Sequence, residues 1–181
     1  GPAYDPTTNL VYMAYSGGQV SAYDLKDGSE KWSPIDLSAE AEAAAGEAPR
    51  YLDVDTTPVV DDHPNGHVVY VSSYAGGVYA LDAASGARVW SNDKAVGVTD
   101  LMLYREAAHT PNPQGPDRGG PKVPAKKILV ASSASTGLMG LDPFSGHVIW
   151  RNKVPEGGVT APTAMAGALL VGTSRYGLFL L

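Results

Sequence analysis

Asp61, Asp62, His63 and His67 form the densest group of ionisable side chains in this chain. Carboxylates beside imidazoles are the residue types that ligate metals or move protons. Two histidines four residues apart converge on a metal when a helix aligns them, whereas Asp-Asp-His-Pro-Asn-Gly is turn-forming sequence. The group is therefore expected to be a solvated turn. His109 and His147 stand apart from it, on a loop and a repeat turn. The chain has no Cys, which removes disulfides, thiolate metal sites and a thiol nucleophile. It also has no G-x-S-x-G elbow and no G-x-x-x-x-G-K phosphate loop. The sequence offers no catalytic residue, no metal site and no cofactor site.

Composition narrows the partners. A net charge of -6 over 181 residues disfavours nucleic acid, whose affinity comes from clustered Lys and Arg releasing phosphate counterions. The residues just before Thr56 carry Asp36, Glu40, Glu42, Glu47, Asp53 and Asp55 against Arg50 alone, and the three glutamates suit a solvated acidic loop. Lys122, Lys126 and Lys127 read as solubilising charge. No apolar run approaches the ~20 residues of a membrane helix. The first residues lack the basic end and apolar stretch of a secretory signal, and a bacterial lipid anchor needs a Cys, so both are expected outside this chain.

The elements that position these residues are set by an internal repeat. Val11–Trp32 (VYMAYSGGQVSAYDLKDGSEKW), Val69–Trp90 (VYVSSYAGGVYALDAASGARVW) and Leu129–Trp150 (LVASSASTGLMGLDPFSGHVIW) have equal length and one pattern. Each is an apolar strand, a Gly turn, an alternating strand ending in Asp, a second Gly turn and a Trp. A fourth copy runs from Leu169 to Leu181, and an apolar or Pro-led strand precedes each copy. Four short strands per unit, repeated, is the pattern of a β-propeller. The units are about 1–33, 53–91, 98–151 and 159–181, with insert loops at 34–52 and 105–127. Ser38 can cap a short helix over Ala39–Ala45, while Thr110–Pro124 has too many Pro and Gly residues for regular structure.

The repeated residues have physical roles. Asp24, Asp82 and Asp142 end a strand, where a short carboxylate accepts turn N–H groups, and Gly28, Gly86 and Gly146 supply positive φ. Trp32, Trp90 and Trp150 fall at one strand position per unit, where an indole can pack on the next sheet and donate its N–H to backbone there. The fold expected is all-β: antiparallel four-stranded blades, about three and a half of them.

The spacing A-x-D-x-x-x-G-x-x-x-W, at Ala22–Trp32, Ala80–Trp90 and, with Gly first, Gly140–Trp150, resembles the tryptophan-docking repeat of the PQQ-like propeller family. Asp53-Val54-Asp55-Thr56-Thr57-Pro58-Val59-Val60, the later Val98-Thr99-Asp100 and Thr160-Ala161-Pro162 are similar to the blade-opening stretches of the BamB family of outer-membrane assembly lipoproteins. Several things follow from that resemblance. BamB-type propellers have eight blades, at the top of the usual range, so this chain resembles an incomplete propeller. The function implied is a non-enzymatic scaffold at the periplasmic side of the outer membrane. The partner implied is a BamA-like barrel protein, bound through Asp53 and Asp55, with Arg50 a weaker candidate. The repeat also permits a fragment of a PQQ-dependent dehydrogenase or a ligand-sensing propeller of a membrane receptor or kinase. Those dehydrogenases stack their cofactor on an adjacent Cys pair, which this chain does not contain.

Overall fold

The computed structural model describes residues 1–37, 54, 56–108, 110, 122, 124–133, 136–152, 159–165, 167–175 and 177–181. Among these the chain forms strands and no helix. The first sheet is β1 (Ala3–Asp5), β2 (Leu10–Ala14), β3 (Gln19–Asp24) and β4 (Glu30–Asp36), and the second is β5 (Val59–His63), β6 (Gly66–Ser73), β7 (Gly77–Asp82) and β8 (Arg88–Asn92). The third is β9 (Val98–Glu106), β10 (Lys126–Ser133), β11 (Gly137–Leu141) and β12 (Val148–Asn152). The fourth holds three strands, β13 (Thr163–Met165), β14 (Ala168–Thr173) and β15 (Gly177–Leu180). Neighbours in sequence are antiparallel neighbours in each sheet, as short turns demand.

Register repeats as closely as sequence does. Ala22 faces Trp32, Ala80 faces Trp90 and Gly140 faces Trp150, each beside a bulge. The bulged, outermost strand β4 tolerates Pro34, whose missing N–H costs no ladder bond there. The Thr-x-Pro openings have a shared purpose. Where the Pro-led strand has yet to begin pairing, the Thr56 hydroxyl accepts the Ser72 N–H at 3.2 Å, and Thr160 accepts the Gly172 N–H at 2.9 Å. The threonine thus satisfies a strand N–H that would otherwise be left without a partner.

Both faces of the inner strands of the second and third sheets are apolar, so each of these two sheets buries one face on the sheet before it and one on the sheet after. Three cores result. Tyr12, Val20 and Trp32 of the first sheet pack on Val69, Tyr79 and Leu81 of the second. Tyr70, Val78 and Trp90 pack on Leu129, Met139 and Leu141. Val130 and Leu138 pack on Leu169 and Val171. Four sheets with three cores make an open arc, because among the described residues no buried cluster joins the fourth sheet to the first. Leu178 occupies the position of fully buried Val78 and Leu138 and is 74% exposed. This is the incomplete β-propeller expected from the repeats.

The long insert between β9 and β10 is shorter than its sequence bounds of 105–127. Glu106 pairs with Lys126 and Arg105 with Lys127 in the ladder, so the two strands carry the connection further from the core before it leaves them.

Candidate functional site

The turn after each Asp is built by that Asp. Asp82 Oδ1 accepts the Ser85 N–H at 2.8 Å and the Ser85 hydroxyl at 2.6 Å, and Asp142 Oδ1 accepts the Phe144 and Ser145 N–H groups at 2.8 and 2.9 Å. Asp24 Oδ1 accepts the Lys26 N–H at 2.8 Å. The chain reverses at a glycine whose N–H bonds the Asp carbonyl. The residue just after the Asp then presents its own carbonyl to the preceding sheet. Trp32 Nε1 and the Tyr12 hydroxyl both donate to Ala83 O, each at 3.2 Å. One sheet later Trp90 Nε1 and the Tyr70 hydroxyl both donate to Pro143 O, each at 3.0 Å, and Asn92 Nδ2 donates to Gly146 O at 2.6 Å. Gly86 and Gly146 lie flat on those indoles: a Cβ on Gly146 would sit 2.4 Å from a Trp90 ring carbon, and one on Gly86 2.9 Å from a Trp32 ring carbon.

Trp150 holds the same register position but a different environment. Trp32 and Trp90 are each 9% exposed, while Trp150 is half-buried and its Nε1 donates to none of the described residues. Val130 stands where Tyr12 and Tyr70 stand in the other two docks.

Of the group expected to be a solvated turn, Asp62 is exposed beside the turn at 64–65 as expected, but Asp61 and His63 form the polar centre of the interface between the second and third sheets. Asp61 is 2% exposed. It accepts Lys127 Nζ at 2.8 Å and Arg105 Nη2 at 2.9 Å, so Lys127 is a structural cation rather than solubilising charge. Lys127 also donates to Asp62 O at 3.0 Å and lies over the Phe144 ring, 5.8 Å from its centroid. Burial pushes the Asp61 carboxyl up, but the hydrogen bonds and charges of Lys127 and Arg105 outweigh it and hold the group below its usual value. His63 Nε2 is 2.6 Å from the Tyr70 hydroxyl and 3.6 Å from Asp61 Oδ2. Because the phenolic proton serves Pro143 O, the network assigns the imidazole proton to Nε2, with the phenol oxygen accepting it. Burial lowers the His63 pKa against the opposing pull of Asp61, and burial with the Asp61 charge raises that of Tyr70.

The interface before it has a variant of the same device. Asp5, also 2% exposed, occupies the ladder position of Asp61, and His67 that of Lys127. His67 Nδ1 is 2.9 Å from Asp5 Oδ2 and 3.2 Å from Asp62 Oδ1, without the alignment of a hydrogen bond, so the contact is one of charge when the imidazole is protonated. Asp5 is further held by the Thr7 N–H and the Thr8 hydroxyl, which together outweigh burial and lower its pKa. Chemically these carboxylates are latches. A carboxylate neutralised by two cations, as Asp61 is, is a poor base, and the hydroxyl that meets His63, that of Tyr70, gives its proton to Pro143 O. Among the described residues no three acidic or imidazole groups are arranged to hold a metal.

Asp53, Asp55, Arg50, His109 and the proposed helix over 39–45 lie outside the described residues. Val54 and Thr56 are described and buried, Val54 in the core between the first two sheets. Lys122 and Lys126 are exposed.

Sheets of four antiparallel strands, arranged in an arc and keyed together by Asp-turns on tryptophans, define a β-propeller built of PQQ-type repeats. The chain superposes on crystal structures of two computationally designed proteins. For Ika4 the TM-score is 0.64 at 14% identity, covering 99% of this chain and 88% of that one. For Ika8 it is 0.62 at 14% identity, covering 99% and 44%. Within that class, the family model for outer membrane protein assembly factor BamB matches residues 2–114 and 78–179, and the chain belongs to this family. Proteins named outer membrane protein assembly factor BamB are similar to it in three bacteria. The Legionella pneumophila protein is 24% identical over 91% of this chain and 35% of its own length. The Kangiella koreensis protein is 29% identical over 80% and 30%, and the Xanthomonas campestris protein 28% identical over 78% and 28%. The chain thus spans about a third of the length of the relatives it matches.

Proposed function

We propose that the whole protein is a non-enzymatic scaffold in the assembly of outer-membrane β-barrel proteins, held at the periplasmic side of the outer membrane and bound to a BamA-like barrel protein. The observation that carries the reading is the family match, which runs through the first sheet to the fourth. The geometry is in keeping with it: the buried polar groups Asp61, Tyr70 and Trp90 are spent on joining sheets. No helix among the described residues is long and apolar enough to cross a membrane. On this reading no cofactor is needed, and titration with PQQ and calcium should give no saturable change in tryptophan fluorescence or heat.

The partner surface we propose is Asp53 and Asp55, with Arg50 contributing less. Sequence alternation assigns Asp53 and Asp55 one side of an extended segment and Val54 the other, and Val54 is 1% exposed in the first core. Two carboxylates on one side suit a basic or amide-rich partner. Replacing both by Ala in the whole protein should abolish pull-down of the barrel protein with the melting temperature unchanged. Retained binding rejects the surface, and a lowered melting temperature assigns the pair a structural role instead.

A further inference from the structure

Between the second and third sheets lies a cavity of about 280 Å3, lined in part by His63, Pro64, Asn65, Asp82, Val89 and Phe144. It opens on the side of the β5–β6 and β7–β8 turns. Val54 instead bonds Tyr15 O at the β2–β3 turn, the other end of the sheets, so the cavity is separate from the partner surface proposed above. Val89 and Phe144, each 50% exposed, form its mouth. Val89 is the extra residue of the β8 bulge, where the first sheet has Lys31. Phe144 stands two residues after the turn Asp, where the second sheet has Ala84. The cavity is therefore a feature of this one interface and not of the repeat.

Its polar groups are acceptors in want of donors. The His63 side chain is 8% exposed and gives its Nε2 proton to Tyr70, so Nδ1, which points away from Tyr70, keeps a lone pair with no donor among the described residues. Burial, which lowers the His63 pKa, keeps that imidazole neutral at pH 7. Asp82 Oδ1 takes the Ser85 N–H and hydroxyl, while Oδ2 meets no donor among the described residues. Among those residues no Lys or Arg lines the cavity, because Arg105 and Lys127 are engaged by Asp61. The Phe144 ring, 4.6 Å from that of His63 and tilted by 46°, adds an aromatic face. A carboxylate oxygen, a buried ring nitrogen and an aromatic face together match a planar, weakly hydrated cation with several N–H donors. We infer that the His63–Asp82–Phe144 cavity binds a guanidinium group on a short alkyl chain, the group that an arginine side chain carries. The cation pairs with Asp82 Oδ2, donates to His63 Nδ1 and stacks on Phe144, with its stem against Val89 and Pro64.

The test titrates the whole protein, labelled with nitrogen-15 at histidine, with ethylguanidinium and with a blocked Ala-Ala-Arg-Ala-Ala peptide, and His63→Gln assigns the His63 signal. Binding should saturate with a Kd on the order of 1 mM, and the His63 Nδ1 resonance should move upfield as that nitrogen accepts a hydrogen bond. The same peptide with neutral citrulline in place of arginine should bind at least about tenfold more weakly. Binding of the arginine peptide assigns a protein segment as the source of the group, and binding of ethylguanidinium with the peptide excluded assigns a small free cation. Asp82→Asn, whose amide oxygen still accepts the Ser85 N–H, should abolish binding. If that variant fails to fold, Val89→Arg at the exposed mouth should block the cavity and abolish binding with the melting temperature unchanged. No movement of His63 with either cation up to about 20 mM, roughly twentyfold above the expected Kd, overturns the site. Equal binding of the citrulline peptide, or retained binding in either folded variant, overturns it as well.

Discussion

Trp90 and Pro143, 53 positions apart in the chain, meet through a 3.0 Å hydrogen bond from the indole N–H to the proline carbonyl. The bond couples a strand of the second sheet to a turn of the third, so its loss is felt as weaker docking between sheets. Replacing Trp90 by Phe removes the donor and part of the packing surface and should cost about 1–3 kcal/mol. The same change at Trp150, whose N–H bonds to none of the described residues, should cost less. Urea denaturation of both variants measures the difference, and equal losses would contradict the docking account.

Gly28 and Gly146 separate backbone strain from docking. Their φ angles are +71° and +72°, but nothing lies within 4 Å of a Cβ on Gly28, whereas a Cβ on Gly146 would meet Trp90. Ala at either position pays the left-handed backbone cost of about 1–2 kcal/mol. Ala at 146 should lose a further 1–3 kcal/mol, roughly the scale of overpacking, and only that variant should shift the Trp90 indole resonance.

How much of this was legible in the sequence depends on the range of each requirement. The strand count and the all-β propeller class were legible because alternation and turn glycines recur at fixed spacing. The Asp and Gly of each turn were legible at Asp82 and Gly86 because the carboxylate, the N–H groups and the positive φ all lie within five residues. The receiving carbonyls of Ala83 and Pro143 were not, since every residue has a carbonyl. Tyr12 and Tyr70 carried a signal in their equal offsets, obscured by Val130 in the third copy. Asp61 was misread because its cations lie 44 and 66 positions away, although its shared ladder position with Asp5 pointed to a role in the repeat.

The latch at Asp61 should be asymmetric. Asn at 61 leaves Arg105 and Lys127 without a counter-charge, but their side chains are 56% and 27% exposed and can turn to water, so the cost should be about 1–3 kcal/mol. Met at both 105 and 127 strands a buried carboxylate and should cost more, about 3–5 kcal/mol. Thermal or chemical unfolding of the two variants decides the order.

Acid should loosen the same interface in two stages. The folded His63 pKa lies below its ordinary 6.5, so the neutral imidazole favours folding and that contribution is lost as pH falls below 6.5. The folded Asp61 pKa lies below 3.8, so its contribution is complete above that value and is lost as pH falls through the lower, folded value. His63→Gln should flatten the first stage and leave the second. Stability measured from pH 8 to pH 3 would contradict this assignment if the first stage persisted in the variant.

A scaffold for the barrel protein must bind it directly. Calorimetric titration of the full-length protein with the periplasmic part of the BamA-like barrel protein from the same bacterium should show saturable binding, with a Kd on the order of micromolar or tighter. No heat and no co-elution at concentrations about tenfold above that, with both proteins folded, would contradict the scaffold account.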